Sequence, residues 1–143
     1  MPRADVIKAV TEFAGPRGPF RNDGDLLGDI DVWVAGQGPG LVAALADLVL
    51  RPPAEDELCG LLREDFDNGL GELLCTAAGR WPDSGALTPL LIDERSRPYA
   101  VDALGCTAEP GALAVLRGLR ARNEGEAERI TDAIGELRER LGA

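Results

Sequence analysis

The chain contains no histidine in its 143 residues. That absence excludes Ser–His and Cys–His nucleophile systems and removes the commonest general base and metal ligand. Aromatic residues make up only 4% of the chain and β-branched residues are few, so the Leu- and Ala-dominated apolar set favours helices over strands. Only three cysteines are present, Cys59, Cys75 and Cys106. They cannot all pair within one chain, and none forms a CxxC unit. Each sits in an apolar helical stretch, which reads as a small buried thiol in a reducing compartment. Long hydrophobic runs are missing too. The N-terminal Met1-Pro2-Arg3-Ala4-Asp5 leads into no export signal, and the longest apolar run, Leu41 to Leu50, is interrupted by Asp47 and far shorter than a membrane span. The expectation is a soluble cytoplasmic protein.

What is present is an ordinary globular balance, 45% hydrophobic and 28% charged, in a length that suits one domain. Acidic residues outnumber basic ones 25 to 15, giving a formal net charge of −10. Such a field repels phosphate backbones and anionic membranes and favours a basic protein surface as partner. Acidity of this kind also serves solubility alone.

Apolar spacing predicts helices over Ala4–Ala14, Leu41–Leu50, Glu55–Phe66, Leu70–Gly79, Gly85–Ile92, Arg97–Gly105, Pro110–Arg122 and Glu124–Leu141. Leu26–Ala35 fits a helical stripe and a strand's alternation, with helix preferred. Gly15–Asp25 reads as an irregular loop. Arg51-Pro52-Pro53, Asp67-Asn68-Gly69 and Trp81-Pro82-Asp83-Ser84 read as helix stops.

The strongest signal is self-similarity. A slide of 26 positions brings Gly79 onto Gly105, Gly85 onto Gly111, Ala86 onto Ala112, Leu87 onto Leu113 and Leu90 onto Leu116. A slide of 30 sets Asp102-Ala103-Leu104-Gly105 beside Asp132-Ala133-Ile134-Gly135. Three successive helical hairpins are implied, each too small to bury its apolar face alone. Ala77, Ala78, Ala100 and Ala103 would let neighbouring helices approach closely.

At Asp93-Glu94-Arg95-Ser96-Arg97-Pro98-Tyr99-Ala100-Val101-Asp102-Ala103-Leu104-Gly105, followed by Glu109-Pro110-Gly111-Ala112-Leu113, the chain resembles bacterial HEAT-like repeats of the phycobilisome-lyase type. It departs from that pattern at Ser96, where an apolar residue is usual, at Gly71 and Ala127, where Arg is usual, and at Pro98 inside the helix start. The resemblance covers about Leu70 to Leu141. It implies an all-α, short, right-handed α-solenoid in a single domain over residues 1–143, with less regular N-terminal helices and loops in 1–69 and the repeats in 70–143.

Other motifs carry little chemistry. Asp23, Asp25, Asp29 and Asp31 form the densest acidic group, but Leu27 and Val34 occupy positions where a calcium loop needs oxygen ligands. Gly36-Gln37-Gly38-Pro39-Gly40 lacks the third glycine of a dinucleotide fingerprint and the βαβ context around it. No metal and no cofactor is expected. Trp33, Trp81 and Tyr99 read first as core and second as interface anchors. In HEAT proteins the second helices tend to line the concave surface, which makes Arg117 and Arg120 candidates for partner contact, with helix C-terminal charge as their bland role. Asp93, Glu94 and Trp81 complete the candidate partner-binding set.

The reading that results is a non-enzymatic adaptor or regulator that docks a basic protein. An immunity or inhibitor protein that masks a toxin is the specialised version. The rival class is a HEAT-type enzyme, a DNA glycosylase or bilin lyase-like protein, and the net charge opposes the basic groove that a glycosylase needs.

Overall fold

Val6, Ile7 and Val10 recur at helical spacing and are buried together, and the same logic repeats until eight α-helices have formed among the described residues. The computed structural model describes residues 2–15 and 27–142, and no strand occurs among them. The helices are α1 (Arg3–Ala14), α2 (Leu27–Gln37), α3 (Leu41–Leu50), α4 (Arg63–Arg80), α5 (Ser84–Leu87), α6 (Arg97–Leu104), α7 (Pro110–Arg117) and α8 (Glu124–Leu141). The loop expected at Gly15–Asp25 and the acidic residues Asp23 and Asp25 fall almost wholly outside the described residues, as does the side chain of Asp29. Asp31 is exposed.

The ambiguous segment resolves as the helix α2. Its Ile30 and Val34, four apart, are both buried, while Trp33 sets its ring edge-on to Phe13 of α1 with centroids 5.6 Å apart. The bounds of α3 and α8 agree with the sequence reading. In α3, Leu41, Val42, Leu45, Leu48 and Val49 are all buried.

The region from Glu55 to Gly69 departs from expectation. A single 3-10 turn, Glu55–Leu58, replaces the helix expected over Glu55–Phe66. Cys59 (φ 55°) and Gly60 (φ 82°) follow in left-handed conformations that end it. The next helix, α4, then runs through Asp67-Asn68-Gly69, the triplet read as a stop. Burial decides this outcome. Phe66, Leu70, Leu73, Leu74, Ala77 and Ala78 form one buried stripe, and two large side chains at about 2 kcal/mol each outweigh the roughly 1 kcal/mol cost of a helical glycine. Glu64 and Asp65 supply acidic charge to the first turn of α4.

Two further bounds differ. The helix α5 gives way at once to a 3-10 turn, Thr88–Leu91, because Pro89 has no N–H to continue the α pattern. The helix α7 stops at Arg117 with Gly118 as its C-cap, so Arg120 and Arg122 belong to a loop and not to the helix expected to reach Arg122. Cys59 is a correction as well: it is exposed on its turn, not buried in a helix, while Cys75 and Cys106 are half-buried.

The first helix, α1, packs against α4, α4 against α6, and α6 against α8. Further contacts join α3 to α4 and α5, α5 to α6, and α7 to α6 and α8. The core runs continuously from Val6 to Leu137. Small residues make the close approaches. Ala77, Ala100 and Ala103 are fully buried, and a Cβ placed on Gly105 would lie 3.1 Å from the backbone of Ala133. Glu109 links the starts of α7 and α5, its carboxylate accepting from the Ser84 Oγ at 2.7 Å and the Ser84 N–H at 3.3 Å.

Among the described residues no single helix is long and apolar enough to cross a membrane. The apolar pair α2 and α3 meets at 104°, and α3 spends its apolar face on the core.

Candidate functional site

Helix C-termini leave carbonyl groups without intrahelical partners, and in this chain arginines from other elements take up several of them along one edge. Arg95 Nη1 donates to the Val49 carbonyl at 2.6 Å, tying the loop after Thr88–Leu91 to the end of α3. Arg97 reaches further: Nη1 donates to Leu91 O at 3.4 Å, Nη2 to Arg120 O at 2.8 Å and Nε to Glu126 Oε1 at 2.9 Å. At the N-terminal side, Arg3 Nη2 donates to Arg51 O at 2.6 Å and Arg63 Nη2 to Pro53 O at 2.7 Å. Arg95 thus ties loop 91–97 to loop 49–55, and Arg97 ties loop 91–97 to loop 118–126.

The loop 91–97 is fixed from inside as well. Ser96, where the sequence pattern departs from the HEAT-like form, is 1% exposed and donates its hydroxyl to Leu90 O at 2.6 Å. Asp93 O accepts the Arg97 N–H at 2.9 Å, and Asp93 Oδ1 the Arg95 N–H at 3.3 Å. Pinned in this way, the loop holds Ile92 out to solvent at 82% exposure, with Asp93 and Glu94 exposed beside it. Leu50, next to the Val49 that Arg95 grips, is 47% exposed. Arg117 and Arg120 are exposed at the end of α7 and in the loop after it, and neither side chain makes an ion pair among the described residues.

Asp93 and Glu94 lie in the loop before α6, Arg117 ends α7 and Arg120 lies in the loop after it. Trp81 lies elsewhere. It follows Arg80 at the far end of α4, about 27 Å of helix from Arg63 at 1.5 Å per residue. Its ring packs against the core, its Nε1 donates to Val34 O at 2.8 Å, and the Arg80 guanidinium lies 4.1 Å from the ring centroid. Tyr99 is likewise half-buried, its hydroxyl donating to Asp67 O at 3.4 Å.

Beneath the edge the electrostatics are tuned by burial and by arginine. Burial pushes the Asp67 carboxyl above the usual carboxylate range, although Arg63 and Arg95 oppose the shift. Burial next to Asp67 raises the Tyr99 hydroxyl to about 12. The Arg51 hydrogen bond holds Asp47 below its ordinary value. For Glu126, burial acts upward but loses to the Arg97 and Arg122 hydrogen bonds and charges, which hold the carboxyl low.

Sequence reasoning missed Ile92 and Leu50 as surface residues. The signal was available: Leu50 lies off the stripe of Leu41, Ala44, Leu45, Leu48 and Val49, and Ile92 follows a proline-interrupted turn. The reach of Arg95 and Arg97 to carbonyls 46 and 23 residues away has no local signature. Among the described residues no group of three or more Cys, Asp and Glu is placed to hold a metal.

Compared with protein-family models, curated proteins and solved structures, the chain gives no match.

Proposed function

We propose that this chain is a HEAT-like α-solenoid that works in the cytoplasm as a non-enzymatic adaptor or regulator, docking a basic protein segment on the edge formed by loops 49–55, 91–97 and 118–126. The repeat supports the solenoid reading. Gly79 and Gly105, equivalent under the 26-residue slide, take the same role at the ends of α4 and α6. A Cβ on Gly79 would meet Cys106 O at 3.4 Å, and one on Gly105 would meet Ala133 at 3.1 Å. The equivalent alanines Ala77, Ala103 and Ala133 are all buried. The right-handed sense follows the HEAT resemblance.

The observation that carries the docking reading is the pinned loop that presents Ile92 at 82% exposure next to acidic Asp93 and Glu94. An apolar side chain held out by a rigid backbone loses little conformational entropy on binding, and its acidic neighbours select a basic partner and speed encounter. Arg117 and Arg120, unpaired on the same edge, would meet a carboxylate of that partner. The net charge of −10 works in the same direction.

The test is fluorescence anisotropy with a labelled Lys/Arg-rich apolar peptide, an acidic peptide of equal length, and random duplex DNA, each at low and at physiological salt. The basic peptide should bind, and the double variant D93K/E94K should weaken it at least tenfold with an unchanged circular dichroism spectrum. Tight, salt-sensitive binding to the duplex, or equal affinity for the acidic peptide, would overturn the reading.

A further inference from the structure

Two of the three thiols lie together across the interface between successive hairpins, and the docking edge makes no use of them. Cys75 stands in the middle of α4 and Cys106 two residues beyond the end of α6, both half-buried. Each thiol is the leading influence on the other's titration, and α4 and α6 pack against one another. The backbones close in at the same place: one turn after Cys75, a Cβ on Gly79 would sit 3.4 Å from the Cys106 carbonyl oxygen. A disulfide needs Cα atoms within roughly 4.4–6.8 Å and Cβ atoms directed at each other, and neighbouring helices rarely approach so closely without a glycine.

We propose that Cys75 and Cys106 form a dithiol site that closes to an intramolecular disulfide by exchange with a small-molecule disulfide such as oxidised glutathione, locking the hairpin that begins with α4 to the one that begins with α6. The Cys106 thiolate attacks one sulfur of the oxidant, forming a mixed disulfide and releasing one glutathione thiolate. Cys75 then gives up its proton to solvent and attacks the Cys106 sulfur, expelling the second glutathione thiolate. Two protein thiols lose two electrons, and the oxidant gains both.

The environment sets the order of the steps. The neighbouring Cys106, burial and the nearby carboxylates Asp102 and Glu72 hold the Cys75 thiol well above the usual range. Cys106 is held below its usual value first by the neighbouring Cys75 and then by Arg140 of α8, against burial and the charges of Glu136 and Asp102. The attacking group is therefore Cys106. The third thiol, Cys59, is exposed on the turn before α4 and takes no part.

The experiment uses the full chain carrying C59S, treated with oxidised glutathione, quenched with an alkylating agent and digested with trypsin without reduction. The expected product has lost two hydrogens in mass and yields peptide 64–80 linked to peptide 96–117. With C75S added, the mixed disulfide should accumulate on Cys106; with C106S instead, Cys75 should stay largely unmodified. Recovery of both cysteines as alkylated thiols, or of bonds only between two chains, would overturn the site. Faster glutathione attachment to Cys75 than to Cys106 in the single-thiol variants would overturn the order of attack.

Discussion

Arg97 and Glu126, 29 residues apart in sequence, meet with Nη2 and Nε each 2.9 Å from Oε1 while their side chains are only 9% and 14% exposed. The same guanidinium caps Leu91 O and Arg120 O, so one side chain joins α6, the loop before it and the two ends of the loop 118–126. A paired buried charge is a specifying device more than a stabilising one, since its removal strands the partner.

Replacing Arg97 with Met should destabilise the fold by about 3–5 kcal/mol, because two carbonyls lose their donor and Glu126 loses its cation and keeps only the Arg122 N–H. Urea unfolding followed by circular dichroism reads the loss. The double variant R97M/E126L should recover part of it, and a double variant no more stable than R97M would show that Glu126 is not left stranded by the single change.

The carboxylates give the fold an acid limit with a definite sign. Glu126 and Asp47 are lowered in the folded state, so their stabilisation is present above the unfolded carboxylate pKa and disappears as pH falls through their folded values. Asp67 is raised, so the strain of its buried charge is present at neutral pH and relieved below the unfolded value of 3.8. Asp67→Asn should therefore stabilise the chain at pH 7, with the advantage shrinking towards zero below about pH 4. Thermal unfolding across pH 3–8 tests this, and an advantage that grows on acidification would contradict it.

Gly105→Ala and Gly135→Ala put the same methyl group at equivalent repeat positions with opposite effects. At Gly105 the new carbon would crowd the Ala133 backbone at 3.1 Å, forcing α8 away and costing about 1–3 kcal/mol. At Gly135 nothing lies within 4 Å, and the helix should gain about 0.5–1 kcal/mol. Chemical denaturation midpoints of the two variants should move in opposite directions.

Trp81→Phe keeps an aromatic ring at the end of α4 and deletes the Nε1 donor to Val34 O. Stability should fall by about 1–2 kcal/mol, as an accepting carbonyl in part-buried surroundings loses its partner. Affinity for the basic peptide should not change, because Trp81 is remote from the edge that presents Asp93 and Glu94; a parallel loss of binding would bring it back into the site.

The all-helical class was legible because apolar spacing and Leu/Ala content speak directly to helix formation, and the end of α3 was readable from the Arg51-Pro52-Pro53 stop. The path between Glu55 and Gly69 was not legible. There, local propensity and tertiary burial disagree: Asp67-Asn68-Gly69 looks like a stop to its neighbours, but Phe66 and Leu70 on either side are wanted by the core. The surface proposed for docking combines two kinds of residue. The charges of Asp93, Glu94, Arg117 and Arg120 could be singled out from their place in the repeat, whereas the outward pose of Ile92 depends on Arg95, Arg97 and Ser96 finding carbonyls on other elements.

The unbroken run of α4 through its glycine also has a mechanical meaning. This helix lies against α1, α2 and α3 on the one hand and α6 on the other, so the early and late parts of the chain cannot loosen independently while it stays wound. Amide protons in its central turns should be among the last to exchange with solvent, and a cut in its middle would leave two fragments that each lack a wall of the shared core.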